Sequence, residues 1–129
     1  MISIVIPTFN EVKNIIPLLK SLISLISEYE YEIIVVDDDS PDGTSDEINK
    51  FIKNKQKIKL ITRIGRFGLS SAIKEGLVFA RGKYLLVLDG DGQHDPSFLL
   101  NIISEIQHGR SDLEIGSRFL SSSNLVGLS

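Results

Sequence analysis

The stretch LLVLDGDGQHDP, residues 85–96, runs an apolar segment straight into Asp89 and Asp91, with only Gly90 between them, and then turns at Asp95-Pro96. A short apolar run bounded by Asp and Gly reads as a strand buried on both faces, and such strands belong to parallel sheets. Three similar runs precede it, at Ile2 to Ile6, Glu32 to Val36 and Ile58 to Ile61, and a weaker one follows at Leu113 to Ile115. All are rich in Ile, Val or Leu.

Between the strands the apolar period changes. Val12, Ile15, Ile16, Leu19, Leu22, Ile23 and Ile26 recur at intervals of three and four, which predicts a one-sided helix over about 12–27. Leu69, Ala72, Ile73, Gly76, Leu77 and Ala80 repeat in the same way. Shorter helices are expected at about 45–54 and at 96–107, the latter with Asp95 as N-cap, Pro96 at the first helical position and Gly109 closing it. Strictly alternating strands and helices predict an α/β protein, a three-layer α/β/α sandwich with a mainly parallel sheet.

Composition agrees with a globular domain: 129 residues, 42% hydrophobic and 24% charged. The absence of cysteine excludes disulfides and thiolate zinc sites. A net charge of −3 argues against a nucleic-acid partner, which would require clustered Lys and Arg. The start, MISIVIP, lacks the basic residues of a signal peptide, and the run IIPLLKSLISLI is broken by Pro17 and Lys20. It falls short of the ~20 apolar residues of a membrane span, so no transmembrane segment is expected in this chain.

Open parallel sheets bind ligands beyond the carboxyl ends of their strands. The segments at that edge are PTFNE, DDDSPDGT, TRIGRFG, DGDGQHD and GSRF. In an extended chain, side chains two residues apart share a side, so Asp89 and Asp91 aim at one point while Gly90 adds no bulk. Neighbouring carboxylates repel unless a cation lies between them, and Mg²⁺ or Mn²⁺ prefers such oxygen ligands together with substrate phosphates. A solvated turn also explains Asp and Gly, although it does not explain their place at the ligand edge. A calcium-binding loop fails, because its sixth and twelfth positions hold His94 and Leu100 instead of Gly and Glu.

Asp37, Asp38, Asp39 and Asp42 form the second acidic end. A helix cap accounts for one of these acids, and an exposed one has the chemistry to accept hydrogen bonds from a nucleobase or ribose. Arg63 and Arg66 either face phosphate or are solvated. Gly65 and Gly68 read as helix-start glycines, with Ser70, Ser71 and Ala72 letting that helix approach the sheet. Neither a P-loop nor a dinucleotide fingerprint is present.

Taken together, SIVIPTFNE, EIIVVDDDSPDGT, GLSSAIKEGLVFARGKYLLVLDGDGQHDP and IGSRF resemble the family 2 glycosyltransferases of GT-A fold, most closely the branch that acts on dolichyl or polyprenyl phosphate. The resemblance runs from about residue 2 to 119. It implies a nucleotide-sugar-binding domain over 1–120, with 121–129 a loop or the start of an acceptor-binding part that family members carry further on. It implies transfer of a hexose, mannose from GDP-mannose, to dolichyl or polyprenyl phosphate, at the cytoplasmic face of a membrane. Pro7, Phe9, Glu11, Val36 and Asp38 then match the nucleotide contacts. Asp89-Gly90-Asp91 matches the D-x-D motif that holds Mg²⁺ or Mn²⁺ on the donor diphosphate; Gln93 matches a position near the metal, and Arg118 one that meets phosphate. Departures are Phe9 in place of a common tyrosine and Ser70 in place of a second glycine. A hydroxyl acceptor, or a nucleotide-binding module without activity, are the alternative readings.

Overall fold

In the computed structural model, residues 1–65, 67–90 and 96–107 are described, with the side chains of Pro96, Ser97, Phe98, Ile106 and Gln107 left aside. The elements are β1 (Ile2–Thr8), α1 (Ile15–Ile26), β2 (Tyr31–Asp37), α2 (Thr44–Ile52), β3 (Ile58–Thr62), α3 (Leu69–Phe79), β4 (Tyr84–Val87) and α4 (Pro96–Gln107). The four strands lie in the order β3-β2-β1-β4, and every pairing is parallel. The fold class is therefore the expected α/β one. The fifth apolar run, Leu113 to Ile115, lies outside the described residues, as does the boundary drawn at 120.

Strand alternation sorts the core into two layers. Ile2, Ile4 and Ile6, with Ile33, Val35 and Leu86, pack on one face against Ile15, Leu19, Leu22 and Ile26 of α1, Ile48 of α2, and Leu99 and Ile103 of α4. Val5, Ile34, Val36 and Val87 face the other way, onto Ala72 and Ile73 of α3. That second layer is close because Gly76 carries no side chain: a Cβ there would lie 2.5 Å from Val5 Cγ1. The small residues that admit the helix are thus Ala72 and Gly76, whereas Ser70 and Ser71 are exposed.

Two details at the strand ends shape the site. Pro7 has no N–H, yet it sits within the central strand β1. Odd residues of β1 bond toward β4, as in Leu88 N–H to Val5 O at 3.0 Å, and even ones toward β2, as in Asp38 N–H to Thr8 O at 3.1 Å. The β1–β4 register ends at Val5 and Val87, so Pro7 falls just past the last rung and removes no bond. In α1, which begins at Ile15 and not at the expected residue 12, Pro17 occupies the first turn, where N–H groups lack helical partners anyway.

Candidate functional site

The chain passes from β1 outward to β2 and β3, then returns to place β4 on the other side of β1. Strand order reverses between β1 and β4, and the crevice beyond the carboxyl ends at such a reversal is the favoured ligand position of an open α/β sheet. A cleft of about 350 Å³ lies there. Pro7, Thr8, Phe9 and Glu11 line it from β1 and Asp38 from β2. Phe67, Gly68, Leu69 and Ala72 line it from the start of α3, and Asp89 from β4.

The expected residues Pro7, Phe9, Glu11, Asp38 and Asp89 are thus brought together from three strand ends far apart in sequence. Gly90 is buried beneath them, where a Cβ would come within 2.8 Å of Thr8 Cγ2, 3.3 Å of Pro7 O and 3.4 Å of Glu11 Cγ. The glycine lets the Asp89 turn settle on the β1 loop. Val36 behaves differently: its side chain is fully buried among Val5, Ile34 and Ala72 and does not line the cleft. Asp91, Gln93, Arg118, Arg66 and His94 lie outside the described residues. Among the described residues no group of three acids or histidines could enclose a metal ion.

At the acidic end of β2, Asp37 and Asp38 are buried and held from within, whereas Asp39 and Asp42 are exposed. Asp37, facing the α1 layer, accepts hydrogen bonds from Thr8 Oγ1 at 2.7 Å, Ser40 N at 2.9 Å and Ser45 Oγ at 2.8 Å. Asp38 faces the α3 layer. It is gripped bidentately by Arg63, Nε to Oδ1 at 2.7 Å and Nη2 to Oδ2 at 3.0 Å, and it accepts Gly68 N–H at 3.1 Å. Arg63 is 1% exposed, so this arginine neither faces solvent nor points at a ligand. Its hydrogen bond to Asp38 outweighs burial and raises its pKa. Asp42 ties its loop to the connection between β1 and α1 through Val12 N–H at 3.2 Å, and to the start of α2 through Thr44. Burial alone would raise its pKa, but these hydrogen bonds, led by the Thr44 hydroxyl, lower it. Asp39 is exposed, with a left-handed backbone at φ 54°.

Thr8, Phe67, Leu69 and Ala72 line the cleft without having been singled out. Phe67 had a readable signal, an aromatic beside glycine in a loop at the carboxyl edge. It is 67% exposed and meets Phe9, 46% exposed, edge to face at 6.0 Å between ring centres. Two half-open aromatic rings, three carboxylates and the positive end of the α3 dipole thus surround one cleft. That combination suits a ligand with a flat ring and a phosphate-bound cation.

The layout places the molecule in the GT-A class of α/β folds. The chain belongs to glycosyl transferase family 2, whose pattern it matches over residues 3–127. It is 40% identical over 119 residues to a dolichol-phosphate mannosyltransferase of Pyrococcus furiosus, covering 92% of this chain and 33% of that protein. A dodecaprenyl-phosphate galacturonate synthase of Rhizobium johnstonii is 32% identical, with 91% of this chain and 36% of that one covered. The chain therefore spans about a third of the length of these relatives. Among solved structures, S. aureus TarS in complex with UDP-GlcNAc superposes with a TM-score of 0.69 at 29% identity, over 86% of this chain and 32% of that one. A Pyrobaculum calidifontis mannosyltransferase in complex with GDP-Man and Mn²⁺ gives 0.56 at 26%, over 70% and 27%.

Proposed function

We propose that this chain is the donor-binding part of a hexosyltransferase that moves a sugar, mannose from GDP-mannose, to a dolichyl or polyprenyl phosphate at the cytoplasmic face of a membrane. The observation that carries the reading is Asp89, delivered by β4 into a cleft shared with Glu11, Asp38 and two aromatic rings. The names of the two curated relatives support a polyprenyl-phosphate acceptor. The Mn²⁺ complex with GDP-Man supports the donor and a divalent cation.

The chemistry follows from these groups. An acceptor phosphate oxygen forms a bond to the anomeric carbon as the bond from that carbon to the diphosphate breaks, leaving negative charge on the departing group. A bound Mg²⁺ or Mn²⁺ supplies positive charge there. Asp89 provides the hard oxygen donor such an ion prefers, and Asp91 and Gln93 are its proposed companions. The cleft's aromatic rings and the amino end of α3 orient base and phosphate. An ionised phosphate acceptor requires no strong general base. A UDP-sugar donor is the second reading, favoured by the TarS complex with UDP-GlcNAc.

Calorimetric titration of GDP-mannose and UDP-glucose, with and without Mn²⁺, tests this. Metal-dependent binding is expected, with Asp89→Asn and Asp91→Asn each weakening it at least tenfold, about 1.4 kcal/mol. Binding that ignores both metal and substitutions would reduce the acids to a turn.

A further inference from the structure

The chain is net acidic, but its charge is not evenly spread. No Asp or Glu occurs from residue 48 to residue 74, and Lys50, Lys53, Lys55, Lys57 and Lys59 fall within ten residues. These lysines occupy the end of α2, its connection to β3 and the start of β3, which is the edge strand of the sheet. Lys59 lies 3.6 Å from Glu32, and no other lysine of the cluster forms an ion pair among the described residues. Lys55 instead sits 4.1 Å above the Phe51 ring and donates to Phe51 O at 2.9 Å, and Lys57 sits 4.7 Å above the Tyr31 ring.

Lys55 and Lys57 frame a cavity of about 370 Å³ with Ile23, Tyr31 and Ile58 on its apolar wall. At the other end of β3, beside the cleft, Ile64 is 76% exposed. Four lysines without an ion pair among the described residues at one end, and the open Ile64 side chain at the other, make one amphipathic flank. Like charges this close repel one another, and that repulsion is relieved by a surface of opposite charge.

We infer that the β3 flank, residues 50–64, is a docking surface for a bilayer containing anionic phospholipid. The lysines meet the headgroup phosphates, and Ile64 enters the interface. A molecule lying on this flank has its strands along the bilayer plane, so the cleft opens beside the membrane and not away from it. This orientation suits the lipid-phosphate acceptor proposed above and rests on that reading only for its purpose, because the docking is measurable without sugar transfer.

Sedimentation of the full chain with vesicles tests it, using phosphatidylcholine alone or mixed with phosphatidylglycerol at low and high salt. Binding is expected only to the mixed vesicles and is lost at high salt. Each lysine near an anionic surface contributes about fivefold, so Lys53→Gln/Lys55→Gln/Lys57→Gln lowers partitioning roughly a hundredfold. Ile64→Ser weakens it without changing the salt dependence. Equal binding to both vesicle types or an unaltered triple variant would each overturn the inference. Nucleotide titration of the same samples separates the two readings. Vesicle binding without nucleotide binding leaves the flank and removes the donor site, and the reverse removes the flank alone.

Discussion

Asp37 and Asp38 are neighbours in the chain, yet strand alternation sends them to opposite faces of the sheet, each into its own hydrogen-bond set. Asp38 cannot be understood apart from Arg63. Removing one member of a buried ion pair strands the other charge, so Arg63→Ala is expected to destabilise the protein by about 3–5 kcal/mol in urea unfolding. Adding Asp38→Asn should restore part of that loss, and a double variant no more stable than Arg63→Ala would contradict the pairing. Glu32 is a third buried acid, at the opposite end of the strands. Burial pushes its pKa up. Hydrogen bonds from Arg81 N–H and the Ser3 hydroxyl, with the charges of Lys59 and Arg81, outweigh that and leave it lowered. One oxygen, Oε1, makes no hydrogen bond. A folded-state pKa below the unfolded one, about 4.3, adds stability that is fully present above that value and fades as pH falls through the folded value. Glu32→Gln should therefore flatten the acid limb of the stability curve. An unchanged urea midpoint difference between pH 7 and strongly acid pH would refute the role.

Among the elements, α3 is the one whose place depends most on a single residue. It is the only helix among the described residues that packs in the second core layer, and its contact passes through Gly76. Gly76→Val forces methyl groups into Val5 and Val36, and overpacking of this kind typically costs about 1–3 kcal/mol. Because the start of α3 lines the cleft, the variant should also weaken nucleotide binding; loss of neither stability nor affinity would show that the helix can slide. The strands were legible as short runs rich in Ile, Val and Leu bounded by turn residues. The start of α1 was not, since Val12 continues the helical period even though the chain is still turning out of Glu11, where Asn14 N–H bonds Glu11 O at 3.0 Å.

At the scale of the whole molecule, the cleft exists because the order of strands reverses between β1 and β4, and charge segregation gives the molecule a distinct flank at β3. A ligand that binds only the folded state stabilises it by about 2.7 kcal/mol at a hundred times its Kd, so GDP-mannose with Mn²⁺ should raise Tm on the order of 10 °C. No rise with either nucleotide sugar would count against the site. The sequence alone determined the alternation of strands and helices, the ligand edge, and the family to which its motifs point, because periodicity and short-range spacing are local properties of a chain. Only the tertiary structure decided how each acid is held, including Asp38, which lines the cleft while its oxygens are bonded by Arg63 and Gly68. Asp38 meets Arg63 twenty-five residues away, Asp37 meets Thr8 twenty-nine away, and Phe67 comes to lie on Phe9. Whether a carboxylate faces a ligand or a buried partner is set by what the fold packs against it, and spacing along the chain does not encode that.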